Sequence, residues 1–301
     1  MNTATPSASV AVIGLGNMGL NLALRLCERG RRLRVHDLLS ERMALAAAAG
    51  AQACTNAAAA VAGCRLVIVV VVDAAQTEAV LFGPDGIALA LAPGADVMLC
   101  PTIAPDDVER FAARLGEHGL GCLDAPMSGG PLRARNGSMS LMLAGDDAVM
   151  QRHAGLLADL SSQQHVISQR CGDGARTKLV NNLLAAVNLA GAAEAIALAQ
   201  RLGLDGERTL AVIAQSSGQS WIGSDRMARA LASDFAPRAH TTLLAKDTAL
   251  ALAMAARMGV VPPLGNQAAA LFQRALVAGF GDEDDGRLLS LLQQRWAAGQ
   301  T

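Results

Sequence analysis

From residue 10 onward, short apolar runs alternate with stretches whose apolar positions recur every three or four residues. That alternation is the pattern of strands covered by helices in a mainly parallel sheet. Runs at 10–13, 33–35, 66–72, 95–100 and 119–123 predict strands. The run at 66–72, LVIVVVV, is apolar at every position and reads as a central strand buried on both faces. The segment 106–118 predicts an amphipathic helix. Runs at 138–143 and 165–168 predict extensions of the sheet past a six-strand core. Alanine tracts at 44–49 and 57–60 fit helix, for which Ala has the highest propensity.

The texture changes at 171–174, CGDG, and is nearly all helical afterwards. Residues 175–202 hold no Pro and only Gly191 among glycines, which predicts a helix of about 42 Å closed by Gly203. Shorter helices are expected at 206–216, 224–231, 240–258, 265–278 and 283–297. No Pro- or Ser-rich linker intervenes, so the long helix itself joins two domains, 1–170 and 171–301. It carries Leu183, Leu184, Val187, Leu189, Ile196 and Leu198 on several faces. A helix apolar on several faces is expected to be buried all round, partly by a second copy of the chain.

Composition narrows this picture. The chain is 52% hydrophobic but only 2% aromatic, so its core must be Ala, Leu and Val. A net charge of −1 argues against nucleic acid or an anionic membrane as partner. The 66–72 run is too short to span a bilayer, and 183–199 is interrupted by Asn188 and Glu194. The first nine residues are polar, with no basic start, and read as a leader rather than a signal peptide. A cytoplasmic protein is expected. The six cysteines form no CxxC pair, so free thiols are expected rather than disulfides or a metal site.

Residues 10–37 read VAVIGLGNMGLNLALRLCERGRRLRVHD. Strand, G-x-G-x-x-G, helix and second strand follow in order, the arrangement of a dinucleotide site. Gly14 allows the tight turn, Gly16 lets backbone approach a pyrophosphate, and Gly19 lets helix and strand pack closely. The helix N-terminus offers open N–H groups to the phosphates. Asp37 follows at roughly the 20-residue distance at which an acid receives the ribose hydroxyls. Cofactor contacts are therefore expected at Gly14, Leu15, Gly16, Asn17, Met18, Gly19 and Asp37, and at Val71 and Val72. Asp37 favours NAD, while Arg32, Arg34 and Arg42 beside it keep NADP open. The first domain is thus expected to be a doubly wound Rossmann α/β sheet, and the second an all-helical substrate and dimerisation domain.

Hydride transfer needs a proton acceptor for the hydroxyl. The chain has no Tyr, and its histidines His36, His118, His153 and His165 fall beside the cofactor strand or on outer elements. His240, ahead of a helix, stays open. Of 25 basic residues only Lys178 and Lys246 are lysine. Arg keeps its proton, whereas a partly buried Lys can be tuned toward neutral. Lys178 lies near the start of the long helix, with Asn182 one turn further on the same face. DAPMSGG at 124–130 supplies Ser128, Gly129 and Gly130, a hydroxyl and backbone N–H groups suited to a carboxylate. Thr102, in the loop after another strand, could touch the nicotinamide ribose.

GLGNMG at 14–19, DAPMSGG at 124–130, GDGARTKLVNN at 172–182 and AKDTALA at 245–251 together resemble the β-hydroxyacid dehydrogenase family, in that family's order. The resemblance implies a cleft between the two domains and Lys178 as catalytic acid/base. It implies Asn182 and Ser128 to Gly130 as substrate contacts, Thr102 and Lys246 as cofactor contacts, and Asp247 as support for Lys246. Pro101 stands where the family often has Ser, which removes a hydroxyl beside Thr102. VVDAAQTEAVLFG, SGQSWIGSDRM and GFGDEDD look like the L-threonate dehydrogenase branch, TTLLAKD like 3-hydroxyisobutyrate dehydrogenase. Tartronate semialdehyde reductase is a further alternative. Imine reductases share the fold but usually lack the lysine, and a non-catalytic dinucleotide sensor would not need Lys178, Asn182 and Ser128 together. The expected partners are a small carboxylate and further copies of the chain, as a homodimer or homotetramer.

Overall fold

A computed structural model describes residues 10–299. The leader expected over residues 1–9 lies outside them. The chain divides into two compact units, Met1–Lys178 and Leu179–Thr301.

The first unit alternates strand and helix. Its elements are β1 (Val10–Ile13), α1 (Asn17–Glu28), β2 (Leu33–His36), α2 (Ser40–Ala48), β3 (Gln52–Ala53), α3 (Ala57–Val61), β4 (Leu66–Val69), α4 (Ala74–Phe82), β5 (Asp96–Leu99) and α5 (Pro105–Glu117). There follow β6 (Gly121–Asp124), β7 (Met127–Ser128), α6 (Gly130–Asn136), β8 (Ser140–Gly145), α7 (Asp147–Arg152), α8 (Ala154–Leu160) and β9 (Gln163–Ser168). Six parallel strands lie in the order β3-β2-β1-β4-β5-β6, the doubly wound order of a dinucleotide-binding sheet. Beyond them β8 runs antiparallel to β6 and β7, and β9 adds parallel to β8.

Both faces of the sheet are covered, which explains the unbroken apolar runs. Val10, Val12, Leu66, Ile68 and Met98 point to a core shared with α1, α2 and α8. Ala11, Ile13, Val67, Val69, Val97 and Leu99 point to one shared with α3, α4 and α5. Leu22, Leu26 and Phe111 are wholly buried in these layers. Truncating any one of them to Ala costs about 2–5 kcal/mol.

Two elements expected from the sequence need their limits corrected. The strand expected over 66–72 stops at Val69. Asp73 caps α4 by accepting from Gln76 N, and Val72 N donates to Gln76 Oε1, so 70–72 is a loop. An unbroken apolar run cannot announce that end. The helix expected over 283–297 is split: Asp285–Arg287 is a 3-10 turn and α14 (Leu288–Ala297) follows it. Asp284 accepts from Gly286 N, and Asp285 Oδ1 lies 2.5 Å from Arg226 Nε, which holds the turn tight.

The helix α9 (Asp173–Arg201) begins in the first unit and continues into the second, so the unit boundary falls inside it. By length and composition α9 could cross a membrane. Its Leu179, Ala186, Leu189, Ala193 and Ile196 are wholly buried, and those from Ala186 onward sit in the second unit's core. Contrary to the expectation of burial all round, Val180, Leu184 and Leu198 are 60%, 60% and 50% exposed. The rest of that core comes from α10 (Gly206–Ile213), α11 (Trp221–Leu231), α12 (Thr241–Arg257), α13 (Pro263–Val277) and α14.

Candidate active site

The three glycines after β1 separate by what surrounds them. Gly14 has φ +93, and a Cβ there would stand 2.3 Å from the Val70 carbonyl oxygen. Gly19 packs so closely that a Cβ would meet the Gly14 carbonyl oxygen at 2.0 Å. Gly16, the N-cap of α1, has nothing within 4 Å of its Cβ position, and no side chain caps that helix end. The first turn of α1 therefore presents N–H groups beside open space. A dinucleotide pyrophosphate fits there: the loop is tight where it must turn, close where helix meets strand, and open where an anion would sit. Leu15 is buried, whereas Asn17 and Met18 are half-buried.

Asp37 stands at the end of β2. Its Oδ2 accepts from Leu15 N at 2.5 Å and its Oδ1 from Leu39 N at 2.8 Å. The acid thereby braces the glycine loop while each oxygen keeps a lone pair. Val71 is half-buried and Val72 exposed in the loop after β4. Thr102 is half-buried in the loop between β5 and α5, beside the buried Pro101. Ser128 ends β7, paired with Ser140, and is followed by Gly129 at φ +130 and Gly130 at φ +73. Arg133 closes the space at Gly129, whereas Gly130 has nothing within 4 Å of its Cβ position.

Lys178 and Asn182 are each 8% exposed, one turn apart on α9. In the second unit Asn182 Nδ2 donates to Asp247 Oδ2 at 2.6 Å, and Lys246 Nζ lies 2.8 Å from Asp247 Oδ1. Asn182 Oδ1 also accepts from Asn181 Nδ2 at 3.0 Å. Asp247 thus links the lysine of α12 to the amide of α9. Three of the five histidines are occupied elsewhere. His153 Nε2 lies 2.7 Å from buried Asp96 Oδ2, His36 Nδ1 3.1 Å from the Cys54 carbonyl, and His240 Nδ1 2.8 Å from the Asp282 carbonyl. No cluster of metal-ligating side chains occurs among the described residues.

Residues 9–171 match the NAD binding domain of 6-phosphogluconate dehydrogenase, and residues 172–292 match the NAD-binding domain of NADP-dependent 3-hydroxyisobutyrate dehydrogenase. The chain belongs to the 3-hydroxyisobutyrate dehydrogenase-like family. It is an NAD(P)-dependent hydroxyacid dehydrogenase. It is 36% identical over 285 residues to L-threonate dehydrogenase of Cupriavidus necator, covering 95% of this chain and 96% of that one. It is 35% identical over 283 residues to L-threonate dehydrogenase of Escherichia coli K12, covering 94% of each. A solved structure of 3-hydroxyisobutyrate dehydrogenase from Salmonella typhimurium matches with a TM-score of 0.90 at 34% identity, covering 95% of this chain and all of that one.

One buried acid of this dehydrogenase has no role in the sequence reading. Asp124, at the end of β6, is 1% exposed. Its Oδ2 accepts from Gly172 N at 2.8 Å and Ala175 N at 3.0 Å, and Gly174 N also donates to it. Burial pushes its carboxyl up to about 6, against the pull of those three amides. The available signal was a charged residue closing an otherwise apolar strand, GCLD, inside a motif that reads as a substrate loop.

Proposed function

We propose that the chain oxidises the CH–OH group of a small hydroxy acid, with L-threonate or a close sugar acid favoured, using NAD, and that Lys178 is the acid/base. The observation that carries this is Lys178 itself: one of two lysines among 25 basic residues, 8% exposed, on the same helix face as Asn182. Burial disfavours an ammonium and favours the neutral amine that can take a proton. Bound NAD(P) supplies the hydride acceptor. In this reading Lys178 Nζ takes the hydroxyl proton during oxidation and returns it during reduction. Asn182, held by Asp247, orients the hydroxyl, and Ser128, Gly129 and Gly130 receive the carboxylate. Thr102, Lys246, Val71, Val72 and the 14–19 loop contact the cofactor.

The threonate assignment rests on the names of the relatives above. The Salmonella structure favours a second reading, 3-hydroxyisobutyrate. NAD over NADP rests on Asp37, whose carboxylate suits a ribose diol and repels a 2′-phosphate. We also propose a cytoplasmic homodimer or homotetramer. Val180, Leu184 and Leu198 on α9, and Leu202 just after it, present apolar surface that a second copy would cover, and light scattering of a monomer would refute it.

The test is turnover on a panel of small hydroxy acids, including L-threonate, 3-hydroxyisobutyrate and L-serine, with NAD and with NADP. We expect the highest kcat/KM with L-threonate and NAD, and no comparable turnover by Lys178→Met. Ser128→Ala should raise KM for the acid severalfold and leave KM for NAD unchanged. Equal activity on the matching uncharged alcohol would overturn the carboxylate site.

A further inference from the structure

The first turn of a helix leaves N–H groups without partners, and the usual cap comes from the residue just before it. On α9 the acceptor comes from a strand 48 to 51 residues earlier in the chain. Asp124 is held in place by the sheet, paired with Leu99 of β5 and Ala144 of β8. Its carboxylate gathers the amides of Gly172, Gly174 and Ala175, the turn that opens α9. Space is kept for it. A Cβ on Gly174 would stand 2.9 Å from Asp124 Cγ and 2.8 Å from the Met142 carbonyl oxygen. Gly172 turns into the helix at φ +99, which a side chain would strain. Lys178 follows Ala175 by three residues, so the register of this tied turn decides where its amine points.

We propose that Asp124 is a positioning residue for the hydroxy-acid chemistry: it fixes the opening turn of α9 on β6, so aims Lys178, and its negative charge sets how tightly the amine holds its proton. The proposal rests on Lys178 being the acid/base. Groups facing Asp124 are Cys100 just after β5, Cys122 from β6, Cys171 just before α9 and Asp173 at its start. Burial pushes the Cys100 thiol up. The Cys122 thiol is pushed up by its hydrogen bond with Cys171 and by burial. Asp173 is held down at about 2 by Arg170, Ser168 and Arg176. Cys171 is drawn down by its hydrogen bond with Cys122, so it is the neighbour whose titration must be separated from the amine's.

The experiment is the pH dependence of kcat between about pH 6 and 10, on the full chain with NAD and its best hydroxy acid, alongside NADH binding by fluorescence. Asp124→Asn keeps one acceptor and removes the charge. We expect kcat to fall on the order of tenfold, NADH affinity to stay within about twofold, and the ionisation limb to move about half a pH unit lower. Gly174→Ala, which crowds the carboxylate without removing it, should lower kcat by a similar factor. Cys171→Ser should leave the limb in place, which separates the thiol from the acid. Wild-type kcat and an unmoved limb in Asp124→Asn would overturn the proposal. So would loss of NADH binding together with kcat in both Asp124→Asn and Gly174→Ala, which marks a general structural role. Lys178→Met, assayed in parallel, distinguishes the failures. If it stays active, the acid/base reading falls; if it is dead while Asp124→Asn is normal, only the role of Asp124 falls.

Discussion

Two helices start at the carboxyl edge of the same sheet, and their N-termini are treated in opposite ways. The start of α1 is capped by Gly16 with no side-chain acceptor, no acid in its first turn, and open space at the Cβ position. The start of α9 is filled by Asp124, a buried carboxylate holding three amides. Both ends carry the same dipole and the same open donors. The open end can take an anion from outside; the filled end cannot. What it gains instead is a fixed register, and the residue one turn further in is Lys178. In the proposed mechanism the difference separates binding a phosphate from aiming a base.

That contrast can be broken by making the open end resemble the filled one. Gly16 has φ −61 and ψ −166, which any residue can adopt. Gly16→Asp should cap α1 well and leave the melting temperature unchanged or slightly raised. It should weaken NADH binding by on the order of 10²-fold, because a carboxylate then occupies the place of the pyrophosphate. Unchanged NADH affinity, measured by fluorescence titration, would contradict the reading of α1.

A smaller effect is expected at Asp37, which braces the same loop through Leu15 N. Asp37→Ala should lower kcat/KM for NAD by about tenfold and change that for NADP much less, so the preference narrows. A higher kcat/KM with NADP in the wild type would sink the NAD assignment.

A further effect is expected on stability, at the filled end. Asp124 is pushed up to about 6 in the folded chain, above its ordinary value of 3.8. The folded state therefore binds this proton more tightly than the unfolded state. The stabilisation is fully present below about pH 4 and is lost as pH rises through about 6. Asn does not titrate. Asp124→Asn should gain on the wild type between these limits, by up to about 3 kcal/mol, in denaturant unfolding followed across pH. A variant that is no less stable at pH 8 yet slower would show a charge kept for function. A gap that is flat with pH would contradict it.

The legible parts of this molecule are those encoded within about thirty consecutive residues. The spacing of Gly14, Gly16 and Gly19 announced a tight turn, an open helix end and a close helix–strand approach, and each is present. The long helix was readable from the absence of Pro. What stayed hidden depends on contacts made at long range. Nothing in DAPMSGG says that Asp124 turns toward residues 172–175 while Ser128 does not. The link from Asn182 to Asp247 spans 65 residues and leaves no periodic trace. The end of β4 was illegible for a different reason: seven apolar residues look alike whether they lie in the sheet or leave it. The exposed stripe of α9 was hidden because apolar character does not state which face is covered.

In the proposed mechanism a buried lysine on a tethered helix moves the substrate's proton. Its most direct test is kcat of Lys178→Arg, with NADH affinity measured on the same preparation. A guanidinium keeps the positive charge but does not release its proton. We predict near-normal NADH binding and a loss of about 10²–10⁴-fold in kcat, the size expected for a general base. Retention of more than about a tenth of wild-type kcat would contradict it.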